Sequence, residues 1–151
     1  MKKKSSCLIL LLSLALLTLH TAAALAEMVS VSRENAKMLA GPDGKKAKVL
    51  WTLGKGFPLK VLKRSGNWIQ VKDFENSTGW IHKTAASKEG HMVVKTRKKV
   101  NLRSQPSQKG GVVAKAGYGV VFKTLEKKKG WVKVKQDGVT GWVSDTLLWG
   151  F

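Results

Sequence analysis

The sequence predicts an all-β protein made of two copies of one small unit, a barrel or a sandwich, behind an N-terminal export leader. Three observations carry that prediction. The second half of the chain repeats a series of Gly and Trp landmarks found in the first. Short strand-like runs alternate with Gly-rich turns. The first residues have the pattern of a secretory signal.

The leader comes first in the chain. Lys2, Lys3 and Lys4 form a positive start, and Leu8 to Leu19 is almost entirely apolar. Ala24-Leu25-Ala26 is an A-x-A site of the kind a signal peptidase accepts. Residues 1–26 therefore read as a signal-peptide helix. The apolar stretch is short against the ~20 residues of a membrane span. An uncleaved anchor is the competing reading. Cleavage after Ala26 removes Cys7, the sole cysteine, and suits an oxidising compartment. The expected location is periplasmic or envelope-associated.

The repeat organises the rest. Gly54-Lys55-Gly56, Leu59 to Leu62, Gly66 to Lys72 and Thr78-Gly79-Trp80-Ile81 form the first copy. Gly117-Tyr118-Gly119, Phe122 to Leu125, Lys129 to Lys135 and Thr140-Gly141-Trp142-Val143 answer them in the second. The offset is 63 residues between Trp68 and Trp131 and 62 between Trp80 and Trp142, so one loop is a residue shorter in the second copy. The units are residues 28–87 and 88–151, with a linker around Thr84 to Gly90. At about 60 residues each core is marginal, so the strands must close on themselves or the copies must pack together.

Within the second copy, Val120 to Leu125 is rich in β-branched and aromatic residues and reads as a strand. Trp131 to Lys135 alternates as a half-buried strand does. Gln136-Asp137-Gly138 is a hairpin turn of the Asp-Gly kind, and Val139 to Ser144 is the next strand. No amphipathic helix of useful length follows the leader.

These residues resemble a known family. Val100-Asn101-Leu102-Arg103-Ser104-Gln105-Pro106-Ser107 resembles the N-L-R-x-x-P-S opening of bacterial SH3-like domains. Lys129-Gly130-Trp131-Val132-Lys133-Val134 looks like their G-W-x-K-V strand, and Thr140-Gly141-Trp142-Val143 like their closing G-W-V. The first copy departs at its start: aligning Pro42 with Pro106 puts Leu39 at the place of Arg103. The resemblance implies two tandem small SH3-like β-barrels. It also implies a targeting or peptide-binding role in the cell envelope, beside a catalytic domain that this sequence does not show.

Charge narrows the partners. The 151 residues carry 28 Lys+Arg against 9 Asp+Glu, a net +19 that first suggests nucleic acid. The leader takes three of those 28, leaving 25 against 9, and export removes the protein from nucleic acid. Residues 28–87 hold 11 basic and 4 acidic side chains, and residues 88–151 hold 14 and 4. Such a charge calls for a polyanion. The expected partner is cell-wall peptidoglycan or another anionic envelope polymer, with an envelope protein as the alternative. A membrane enters only through an uncleaved leader or anionic head groups.

Chemistry that breaks bonds is not expected. Only His82 and His91 follow the leader, without a carboxylate cluster beside them, and both read as surface residues. No zinc or calcium spacing occurs, so no metal or cofactor is expected. The tryptophans carry the binding signal. Alternation points Val132 and Val134 inward and puts Trp131 on the outer face with Lys133 and Lys135. The same count puts Trp68 beside Gln70 and Lys72. An outward tryptophan can stack on a sugar ring or a peptide plane. The competing reading folds both rings over a barrel end. Trp80 and Trp142 follow glycines and read as structural. Candidate ligand-binding residues are thus Trp68, Trp131, Tyr118, Arg103 and Lys133. The chain reads as an exported, non-enzymatic binding module. Its rival is an adaptor that takes a peptide or partner protein in a groove around Tyr118 and Trp131.

Overall fold

The structure, a computed structural model, describes residues 26–151. The expected signal-peptide helix lies almost wholly outside them. Two seven-stranded sheets follow one another. The first contains β1 (Met28–Val31), β2 (Ala36–Leu39), β3 (Val49–Leu53), β4 (Pro58–Ser65), β5 (Trp68–Lys72), β6 (Thr78–His82) and β7 (Ala86–Ser87). The second contains β8 (His91–Val94), β9 (Val100–Arg103), β10 (Val112–Ala116), β11 (Val121–Lys128), β12 (Trp131–Gln136), β13 (Val139–Ser144) and β14 (Leu148–Gly150). The orders are β3-β2-β6-β5-β4-β1-β7 and β10-β9-β13-β12-β11-β8-β14, identical strand for strand.

The all-β expectation stands, but closure into barrels does not. Each hydrogen-bonded order runs from one edge to another. The reason lies in the ends. Strand β7 has two residues and β14 three. Strand β2 meets β6 at the single pair Leu39↔Trp80, and β9 meets β13 at Arg103↔Trp142. Too few backbone groups face each other to complete a ring of ladders. Side chains close the unit instead. Val29, Met38, Leu59, Ile69, Val71 and Ile81 join strands from across the first sheet in one core. Val94, Leu102, Phe122, Val132, Val134 and Val143 do the same in the second.

The sheets bend at matching places. The register slips between Val61 and Lys63 in β4 and between Thr124 and Glu126 in β11. Such bulges curve a strand, and here they push Leu62 and Leu125 out to solvent. Strand burial follows the expected alternation: Ile69 and Val71 are buried between half-buried Trp68, Gln70 and Lys72. Val132 and Val134 are buried likewise, between half-buried Trp131 and Lys133 and exposed Lys135.

The linker is shorter than the sequence suggests. Lys83–Ala85 forms a 3-10 turn and Ala86–Ser87 pairs with β1, leaving residues 88–90 between the sheets. The absence of an apolar period there misled because a two-residue strand cannot show one.

Candidate functional site

The two hairpins β5–β6 and β12–β13 set the site. Register places Trp68 opposite His82 and Trp131 opposite Ser144. Each tryptophan then lines a cleft beside the loop that follows β2 or β9. The first cleft has a volume of about 280 Å³ and is bounded by Trp68, His82, Leu39, Gly44, Ala85, Arg33 and Lys37. The second has about 130 Å³ and is bounded by Trp131, Ser144, Arg103, Gln108, Leu147 and Lys99.

The smaller volume has a structural cause. At equivalent positions the second copy carries Gln108 for Gly44, Leu147 for Ala85 and Arg103 for Leu39. Gly44 matters most directly. A Cβ there would stand 3.4 Å from the Trp68 ring, so the glycine lets the loop lie against the indole. Asp43 shapes that loop by accepting the Lys45 and Lys46 backbone N–H groups at 2.8 and 3.1 Å.

His82 corrects the expectation of a simple surface residue. Its ring meets Trp68 edge-on, with centroids 5.2 Å apart and planes at 86°. Thr84 donates its backbone N–H to Nδ1 at 3.4 Å, and Thr84 Oγ1 lies 2.8 Å from the same nitrogen. That network assigns the neutral ring's proton to Nε2. Counting across the hairpin from Trp68 to His82 would have revealed this pairing. Gly44 and Ala85 gave no such signal, because small residues mark a cleft only once their neighbours are known.

Arg103 lines the second cleft, but it also braces a loop. Its Nη1–H donates to the Gly110 carbonyl at 2.8 Å. Leu39, its counterpart, is buried in the first copy. Lys133 stands with its Nζ 5.9 Å from the Trp142 ring centroid, a cation over an aromatic face. Trp80 and Trp142 are buried, and glycines at 79 and 141 admit the close packing beside them. A Cβ on Gly79 would meet Met38 Cγ at 2.6 Å, and one on Gly141 would meet Leu102 Cβ at 2.9 Å.

This is one unit built twice, with the same strand order, the same bulges and the same tryptophan-lined cleft. The family model for the bacterial SH3 domain matches residues 32–88 and again 96–150. The chain belongs to the bacterial SH3 domain family. A curated relative is the putative N-acetylmuramoyl-L-alanine amidase YrvJ of Bacillus subtilis (strain 168), 27% identical over 104 residues. That match covers 62% of this chain but only 20% of the relative, so the chain spans about a fifth of its length. Among solved structures, NlpC1 from Trichomonas vaginalis aligns at 15% identity with a TM-score of 0.39, over 85% of this chain and 47% of that one. NlpC2 from the same organism aligns at 14% and 0.37, over 84% and 49%.

Tyr118 lies elsewhere, at the junction of the two SH3 domains. It is not among the residues that line the Trp131 cleft. The Tyr118 ring packs on Phe74 of the first domain with centroids 5.3 Å apart. Its hydroxyl donates to Glu75 Oε1, and the Arg97 guanidinium stacks 3.9 Å from its centroid. The bond to the Glu75 carboxylate holds the phenol above its usual range, reinforced by partial desolvation and opposed by Arg97. The loop from Asp73 to Ser77 presents Phe74 and Glu75. Asp73 Oδ1 organises it by accepting the Glu75 and Ser77 N–H groups at 2.9 and 2.8 Å. His91 joins the same junction, its ring packed against Gly56.

Proposed function

We propose that this chain is an exported, non-enzymatic binding module that engages cell-wall peptidoglycan or another anionic envelope polymer. The observation that carries the reading is the first cleft: an indole face, a histidine and two basic side chains around one concavity. A tryptophan face suits a sugar ring or peptide plane. Arg33 and Lys37 suit a carboxylate or phosphate. The amidase named among the relatives fits a wall ligand. Once the leader is gone, 25 basic side chains against 9 acidic ones supply long-range attraction to a polyanion.

Binding to purified sacculi in rising salt tests the reading. Retention at low salt that falls steeply with ionic strength is expected; no retention at low salt overturns it. Trp68→Ala should weaken retention by about tenfold, on the order of 1.4 kcal/mol. Trp131→Ala should do less, because its cleft is smaller. Gly44→Gln gives the exposed loop of the first cleft the glutamine found in the second, and should weaken retention.

A further inference from the structure

A third cleft lies where the two domains meet, and it differs in kind from the other two. It has a volume of about 250 Å³ and is lined by Trp51, Phe57, Phe74, Asp73, Glu75 and the backbone of Gly119. Its lining holds two carboxylates and no basic side chain. The Trp68 cleft has Arg33 and Lys37 and the Trp131 cleft has Lys99 and Arg103. On a chain with 28 basic and 9 acidic residues, two acids drawn into one aromatic concavity mark a local reversal of charge.

The rings and carboxylates are arranged as an ammonium ion on an apolar stem requires. Phe57 and Phe74 lie 6.0 Å apart at 53°, and Trp51, which lines the same cleft, is 55% exposed. Asp73 spends Oδ1 on two backbone N–H groups, while Oδ2 has no hydrogen-bond partner among the described residues. Glu75 uses Oε1 toward Tyr118 and, at 3.6 Å, Arg97, and Oε2 has no partner there. Arg97 sits over the Tyr118 ring and does not line the cleft. An anion would meet repulsion here, and a neutral apolar group would leave the carboxylate oxygens unanswered. A cation gains from both the carboxylates and the ring faces.

We propose that this inter-domain cleft binds an alkylammonium group, carried by a lysine-type side chain or a peptide N-terminus. The site stands apart from the wall-binding reading of the Trp68 cleft. The test is titration of the full chain, followed by the indole N–H resonance of Trp51, which is assigned by its loss in Trp51→Phe. Nα-acetyl-lysine methylamide offers a side-chain ammonium and alanine amide offers an α-ammonium; the tighter binder identifies the source. Nα-acetyl-norleucine methylamide has the apolar stem without charge and should leave the signal in place. Asp73→Asn keeps an oxygen for the turn and Glu75→Gln keeps the side-chain shape; each should weaken the ammonium probe by about fivefold or more. Equal shifts with the norleucine probe, undiminished binding in both carboxamide variants, or no shift with either ammonium at millimolar concentration would overturn the proposal.

Discussion

Leu39 and Arg103 occupy the same place in two copies of one sheet, opposite Trp80 and Trp142, yet they do different work. Leu39 is buried, and its loop lies open enough to leave a cleft of about 280 Å³. Arg103 ties its loop down through Gly110 and helps fill a cleft less than half that size. The second difference is one residue long. Between Lys72 and Thr78 stand five residues; between their counterparts Lys135 and Thr140 stand four. The shorter connection makes a two-residue turn with Asp137 and Gly138 at φ of 48° and 80°. The longer one carries Phe74 and Glu75 into contact with the other domain. Duplication thus kept the strands and cores in register, and the loops took up separate tasks.

The comparison breaks most severely at the cores. Leu59 and Phe122 hold equivalent, fully buried places in β4 and β11. Phe122→Ala should cost about 3–5 kcal/mol and Leu59→Ala about 2–5 kcal/mol. Calorimetry would show whether each change lowers one unfolding transition or two. A shared transition would mean that the junction makes the domains cooperate. A smaller effect follows at the paired glycines. Gly79→Ala and Gly141→Ala should each cost about 1–3 kcal/mol by overpacking, read from denaturant midpoints. Gly79 should be the more sensitive, because the Leu39 carbonyl stands 3.0 Å from its new methyl as well.

Arg103→Leu makes the second copy match the first at this position. It should cost about 1 kcal/mol and raise amide exchange between Ser104 and Gly111. Unchanged exchange there would show that the loop needs no brace. The mildest test uses the chain's single tyrosine. The Tyr118 phenol should ionise above the ordinary tyrosine value of about 10, followed by tyrosinate absorbance. Because its folded-state value is raised, the contact to Glu75 is complete below the ordinary range and is lost as pH climbs through the raised value. Glu75→Gln should bring the midpoint back down. A midpoint already ordinary in the native chain would mean that the junction is open in solution.

Much of this architecture was legible in the sequence because it is local. A strand alternates every second residue, so Val132 and Val134 inward and Trp131 outward follow from counting. Asp137-Gly138 announces its turn by the residues that tolerate positive φ. The shift from an offset of 63 to 62 located the longer loop without saying what it does. What escaped depends on residues distant in the chain. Nothing near Tyr118 points to Phe74, 44 positions earlier. Open sheet ends depend on where short strands stop, as at Ala86–Ser87, and no periodic signal fixes that. The cleft beside Trp68 needed Gly44 and Ala85, whose small size is silent until the loop is folded over the ring.

The unclosed sheets have a consequence for the protein in bulk. Strand β3 is an edge, and it shows Val49, Leu50 and Trp51 to solvent at 41%, 38% and 55%. An apolar edge with unpaired backbone groups invites a second strand to add to it. Lys45, Lys46 and Lys48 precede it immediately, so two copies approaching edge to edge bring ammonium groups together. That guard acts only within a Debye length, about 8 Å at physiological ionic strength and about 3 Å in molar salt. Concentrated salt should lower that guard and thread the chains into strand-paired oligomers visible by light scattering.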